Sequence, residues 1–193
     1  MTDASVPERL AVGPVTLARL APERADLRDW YRFWRDCDPA VFAHLDLDPD
    51  QTAGAVADRV AALDAMWDEF ESFSYVVRAD DAFAGYADLQ PDWDRRTAEI
   101  GVVLDRPFWG EGVAGDVVAT LGRVAFERLD VDLLELGFDA DNERAWAAAE
   151  RYADQFGGRV AGPFRALSTR AGEPVDQYRY AVDGAAFDPP ERA

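Results

Sequence analysis

The feature that most restricts this chain is one passage in its second half. A strand-like run over 97–104 leads into Trp109-Gly110-Glu111-Gly112-Val113-Ala114-Gly115, and an apolar helical pattern follows over 113–129. Glycines at 110, 112 and 115 carry no Cβ, so backbone amides there are able to face outward. A helix starting at such a turn adds unpaired N–H groups and the positive end of its dipole. The combination suits phosphate and implies an α/β arrangement. The same glycines also suit an ordinary connection or a dinucleotide fold. A Walker loop is excluded, because the chain contains no lysine. A dinucleotide fingerprint fits poorly, since it needs an early βα turn in a parallel sheet and this turn follows an apparent meander.

The rest of the pattern supplies that meander. A strand is expected over 15–20 and a helix over 25–36, with Leu27, Trp30, Tyr31 and Trp34 on one face. A second helix carries Val56, Val60, Leu63, Trp67 and Phe70 at helical spacing after an acidic start at 48–52. Strands over 73–78 and 83–89 form a hairpin across 79–81, and 97–104 is the next strand. After the 113–129 helix come a strand over 131–138 and an Ala-rich helix over 142–155, stopped by Gly157-Gly158. Runs over 159–167 and 175–182 close the chain as a hairpin around Ala171-Gly172-Glu173. The fold class is therefore α/β (α+β), a mixed central sheet of about seven strands with helices on both faces. One domain is expected over 1–193, with its core at 11–183 and loose ends of about ten residues each.

The charge narrows the partners. Twenty basic residues against 38 acidic ones give 20 − 38 = −18 over 193 residues. All 20 basic residues are Arg, 26 of the acids are Asp, and Ile100 is the one isoleucine. A lysine-free, Asp-rich surface suits a salt-rich cytoplasm, because carboxylates hold hydrated cations; a high-GC genome would also favour Arg over Lys. Duplex DNA and anionic lipid are poor partners at this charge. No apolar run approaches the roughly 18 residues of a membrane span, and the N-terminus shows no basic or apolar leader region. Cys37, the single cysteine, cannot form an internal disulfide and continues the Trp30/Trp34 spacing as a structural thiol. These features lead to the expectation of a soluble cytoplasmic protein without nucleic-acid or membrane partners; a homodimer is compatible with the sequence.

Several stretches together resemble the GNAT superfamily of acetyl-CoA-dependent N-acetyltransferases, in particular the branch containing the ribosomal-protein alanine N-acetyltransferases. They are Ala98-Glu99-Ile100-Gly101, Leu104-Asp105, Phe108 through Ala114, Ala125-Phe126-Glu127-Arg128-Leu129, Asp141-Asn142-Glu143-Arg144-Ala145 and Asp176-Gln177-Tyr178-Arg179-Tyr180. The family's order of elements spans about residues 11–183. The resemblance implies transfer of an acetyl group from acetyl-CoA to a primary amine, with no metal. It places the diphosphate at Trp109, Gly110, Glu111, Gly112, Val113, Ala114 and Gly115, and pantetheine beside the backbone of Val102, Val103 and Leu104 and near Asn142. Trp109 stands where the family usually has Gln or Arg, and Glu111 where a basic residue is common.

Amide formation needs a neutral amine, whereas an alkyl ammonium has a pKa of about 10. A base must take the proton, directly or through water. Glu99, ten residues before Trp109, matches the position at which several family members carry a general-base Glu; alternatively it is a solvated carboxylate beside Arg95 and Arg96. Many members place an acidic Tyr where this chain has Ala149, and Tyr152, three residues on, is the candidate substitute or a packing residue. A strand amide near Val102 or Val103 would hold the oxyanion. Direct attack without an acyl-enzyme is expected. The alternative is a GNAT-fold module that binds CoA or a protein without turnover.

The remaining polar features read as structural. His44, the single histidine, lies between apolar residues and suits a packed, hydrogen-bonded role or a place in the acceptor pocket. One His with scattered Asp makes a poor metal site. The Trp30/Trp34/Trp67 set reads as core. Asp46, Asp48 and Asp50 lack the Gly and terminal Glu of a calcium loop.

Overall fold

A computed structural model of the chain describes residues 5–22, 27–46 and 52–190. Eight strands form one sheet among these residues. They are β1 (Arg9–Val12), β2 (Val15–Arg19), β3 (Phe73–Ala79), β4 (Ala82–Asp92), β5 (Thr97–Leu104), β6 (Leu133–Asp139), β7 (Arg159–Arg170) and β8 (Glu173–Asp183). The helices are α1 (Leu27–Asp36), α2 (Ala53–Asp68), α3 (Val113–Arg128) and α4 (Glu143–Phe156). Residues 25–26 and 48–51, where the first helix and the acidic start of the second were expected to begin, lie outside the described residues, as do Asp48 and Asp50.

The sheet order is β1-β2-β3-β4-β5-β6-β8-β7. Neighbours are antiparallel except β5 and β6. The mixed sheet matches the sequence pattern, with one strand more than expected. That strand, β1, is four residues joined to β2 through Gly13-Pro14, with Val12 opposite Val15. Four residues are too few to display an alternating pattern. Described residues outside the expected core at 11–183 also pack against it. Val6 is 7% exposed, and Phe187 packs on Phe126 and Phe156 at ring distances of 5.2 and 6.1 Å.

Period-two alternation divides the apolar residues between two layers. One face of the sheet, from Val15 and Leu17 through Tyr75, Leu89, Ile100 and Leu134 to Tyr180, packs against α3 and α4. Val117, Val118, Leu121 and Val124 bury the α3 stripe. Each such side chain contributes about 1.5–3 kcal/mol when removed from water. The opposite face offers Val76 and Tyr86 to Trp30, Phe33 and Trp34 of α1 and to Val56 and Val60 of α2. The α1 pattern and the tryptophan core therefore follow the sequence expectation. Phe70 departs from it: α2 stops at Asp68, and Phe70 sits in a turn with φ of 58° and 43% exposure.

The parallel pair is short. β5 and β6 are paired only at Thr97–Leu133, Ala98–Leu134 and Glu99–Glu135. Beyond Glu99 the two strands part, while β5 stays paired to β4 as far as Leu104. The sheet therefore opens into a wedge whose vertex lies at Glu99 and whose wide end faces the start of α3.

Candidate active site

The Gly-rich segment stands at the wide end of this wedge. Asp105 begins a short 3-10 turn by accepting from the Arg106 amide at 2.7 Å, and the turn delivers Trp109. The Trp109 indole N–H donates to the Leu104 carbonyl at 2.8 Å, which holds the loop against the end of β5. Gly112 is the N-cap of α3, left-handed at φ of 86°, with no side chain capping the helix. The first intrahelical bond runs from the Asp116 amide to the Gly112 carbonyl at 3.1 Å. The amides of Val113, Ala114 and Gly115 precede it, so the helix start offers the cluster of donors that the sequence led us to expect.

These donors open onto a cavity of about 410 Å³, whose walls include Leu104, Gly110, Gly112, Ala114 and Gly115. Arg123, Arg144 and Arg151 supply positive charge to the same walls. The Arg144 guanidinium lies over Trp109, its carbon 3.6 Å from the ring centre. Arg123 reaches the carbonyls of Pro189 and Pro190 at 3.1 and 3.2 Å, and Arg106 is paired with Asp38. Val113 is buried in the core, while Glu111 is exposed. Trp109 is partly buried against both core clusters.

Along the wedge, Val102 packs toward the α3–α4 layer and Val103 toward α1 and α2. The β6-facing edge of β5 has no ladder partner from Ile100 onward. An extended polar chain with amide groups could add to that edge as a strand does. Asn142 caps α4, its Oδ1 accepting from the Ala145 amide at 3.1 Å. From α4 the cavity is lined instead by Arg144, Ala148, Arg151 and Tyr152. Ala149 is 3% exposed and turned into the core. Tyr152 stacks on Phe156 at 5.5 Å, and burial pushes its phenol up to about 12.

The face of the wedge away from α3 and α4 is polar and largely acidic. Register puts Asp88 opposite Gly101, Gln90 opposite Glu99, and Glu99 beside Glu135. Arg179 of β8 reaches Glu99 at 2.6 Å, and Glu99 remains 46% exposed. Its partner is thus on β8, not Arg95 or Arg96: Arg95 approaches Asp92 and Glu135, and Arg96 binds Asp132 and Asp130. Asp88 is the residue that sequence reasoning missed. Its carboxylate lies against Gly101, where a Cβ would collide with its Oδ1, and it accepts from the Gln90 amide nitrogen. Removal from water pushes its carboxyl group above the ordinary aspartate range, and the nearby charge of Glu99 adds to this. A charged residue within the apolar run 82–89 was the available sequence signal.

A polar strap crosses the end of β6. Arg170, at the tip of the β7–β8 hairpin, binds Asp139 at 2.6 Å and Asp141 at 3.0 Å, and its NH1 lies 3.2 Å from His44 Nδ1. The Ala171 amide donates to Asp46 at 3.0 Å. His44, Asp139 and Asp141 are close enough to share a cation, but the Arg170 guanidinium already occupies that position. His44 therefore fills a hydrogen-bonded structural place. Cys37 is partly exposed and lines a separate surface hollow, and burial pushes its thiol up to about 11, which suits an unreactive sulfur.

Comparison with known proteins bears on this geometry. The family model described as "Acetyltransferase (GNAT) domain" matches residues 15–153. A curated relative, the uncharacterized N-acetyltransferase p20 of Bacillus licheniformis, is 27% identical over 138 residues, covering 70% of this chain and 75% of that protein. The ribosomal L7/L12 α-N-protein acetyltransferase RimL, solved with coenzyme A, superposes with a TM-score of 0.80 at 18% identity, covering 93% of this chain and 99% of its own. The microcin C7 self-immunity acetyltransferase MccE, solved with acetyl-CoA and AMP, gives a TM-score of 0.82 at 16% identity, covering 92% and 97%. At these identities the two structures establish the shared fold.

Proposed function

This chain belongs to the GNAT acetyltransferase family, and we propose that it is an active N-acetyltransferase moving the acetyl group of acetyl-CoA onto a primary amine. The observation that carries the reading is the junction of two features. A wedge opened between β5 and β6 leads toward the uncapped start of α3, and the cavity at that helix start reaches the end of β5 at Leu104. The amides around Gly110, Gly112, Val113, Ala114 and Gly115 would hold the diphosphate, with Trp109 and Glu111 framing the loop. The backbone of Val102, Val103 and Leu104 would pair with pantetheine, with Asn142 nearby, and would bring the thioester toward the vertex. RimL, solved with coenzyme A, and MccE, solved with acetyl-CoA and AMP, share the fold, which supports acetyl-CoA as the donor.

The acceptor would arrive on the acidic face. Its ammonium would meet Glu99 and the carboxylates beside it, lose a proton there, and attack the thioester carbon directly. An amide on β5 near Val102 or Val103 would stabilise the oxyanion. Tyr152 would serve as hydrogen-bond donor for the departing sulfur. Its raised pKa keeps it protonated at neutral pH.

The lysine-free surface with a net charge of −18 fits a salt-rich cytoplasm and argues against nucleic-acid and anionic-membrane partners. No helix among the described residues is long and apolar enough to cross a membrane. A homodimer is compatible with this reading. The deciding assay follows CoA thiol release in molar KCl across a panel of primary amines, with Glu99→Gln as control. Acetyl-CoA-dependent release that falls in the variant supports the transferase. Tight acetyl-CoA binding with no release from any amine would identify a binding module.

A further inference from the structure

Two carboxylates meet at the vertex of the wedge, and their surroundings differ. Glu99 is held at 2.6 Å by Arg179. Among the described residues Asp88 has no such cation within ion-pair distance, and its side-chain hydrogen bond comes from the neutral Gln90. Facing Asp88 are Glu99 from β5, Arg59 from α2, and Tyr86 and Gln90 on its own strand, with Arg179 of β8 behind Glu99. Arg59 lies over Trp34 at 5.6 Å and leaves its Nε without a hydrogen-bond partner.

The position of Asp88 is built into the ladder. Its partner across β4 and β5 is Gly101, the second residue beyond the last β5–β6 pair. Because position 101 has no side chain, the carboxylate lies directly over the β5 backbone where that backbone has just come free. We propose that Asp88 is the group that takes the proton from the acceptor amine, while Glu99, ion-paired with Arg179, orients the ammonium. This inference rests on the acetyltransferase reading and assigns the base within it.

The balance is simple. Asp88 accepts one proton from R–NH3+, and the freed lone pair forms the N–C bond with the thioester carbonyl carbon. The tetrahedral adduct then breaks its C–S bond, and the second nitrogen proton leaves with the CoA thiolate. The two neighbouring carboxylates divide their roles by surroundings: Asp88, set over the free β5 backbone opposite Gly101, is the proton acceptor, and Glu99, ion-paired with Arg179, is the electrostatic anchor.

The test is the pH dependence of kcat/KM for wild type, Asp88→Asn and Glu99→Gln, with acetyl-CoA affinity measured calorimetrically on each. Asp88→Asn is expected to lower kcat at least about 100-fold, the range of a lost general base, with acetyl-CoA affinity unchanged. Its remaining rate should follow the fraction of free amine, climbing toward the amine's own pKa of about 10. Glu99→Gln should act mainly on KM for the amine and keep the carboxyl limb of the profile. Gly101→Ala, which retains the carboxylate but displaces it, should lower kcat and keep a carboxyl limb. If Glu99→Gln abolishes that limb and Asp88→Asn retains it, the assignment to Asp88 is overturned while the transferase stands. A wild-type protein that binds acetyl-CoA and acetylates no amine overturns the transferase reading itself, and Asp88's role with it.

Discussion

The guanidinium carbon of Arg144 lies 3.6 Å from the centre of the Trp109 ring. The loop has an aromatic residue where the family usually carries Gln or Arg, and the fold returns a cation to the same place from the first turn of α4. A guanidinium held over an indole face still has N–H donors to offer phosphate oxygens. Arg144→Ala should weaken acetyl-CoA binding by about 1–2 kcal/mol, or roughly 5–30-fold in Kd. Arg144→Lys should recover only part, because an ammonium lacks the planar stack. Calorimetric titration of the three proteins checks the order.

The phenol of Tyr152 holds its proton more tightly than a thiol does. Full transfer to the leaving sulfur is then uphill, so the part proposed for it is hydrogen-bond donation. Tyr152→Phe keeps the stack on Phe156 and should lower kcat only about tenfold, well short of a lost base. Single-turnover rates at saturating acetyl-CoA measure this.

Asp88 also leaves a signature in stability. Its carboxyl pKa is raised in the folded state, so the stabilising contribution of its protonated form is complete below the ordinary aspartate value of about 3.9. That contribution is lost as pH rises through the folded value, and the ionised group then opposes folding. Asp88→Asn should raise Tm near pH 7, and the gap should close as the pH is lowered toward about 4. Thermal melts across that range in high salt read the effect independently of catalysis.

CoA and this chain are both strongly negative, so the long-range field opposes their encounter in dilute buffer. At about 1 M salt the Debye length is roughly 3 Å, and only the loop amides and the arginines lining the cavity still act. Acetyl-CoA should bind more tightly in molar KCl than in dilute buffer. Calorimetry on folded protein at a series of KCl concentrations tests the sign.

The parts of this account legible in the sequence are those written in consecutive residues. The loop glycines, the start of α3 at Gly112, the α4 cap at Asn142 and the Glu99 position are all local patterns. Their spacing survives without any knowledge of what lies across the sheet. What escaped depends on register between distant strands. Asp88 acquires meaning only once it stands opposite Gly101. Glu99 was set beside Arg95 and Arg96 in the sequence, whereas a partner 80 residues later reaches it. β1 escaped for another reason: four residues cannot show a period. The Arg144–Trp109 stack joins two elements whose approach is set by the whole α3–α4 layer.

A crystal structure of the protein with acetyl-CoA tests the central claim most directly. The diphosphate should lie within hydrogen-bond distance, about 3 Å, of backbone nitrogens between 110 and 115. Pantetheine should run along the free edge of β5, with the thioester near Gly101 and Asp88. Acetyl-CoA bound away from that loop, or a β5–β6 wedge that excludes the pantetheine arm, would contradict the account.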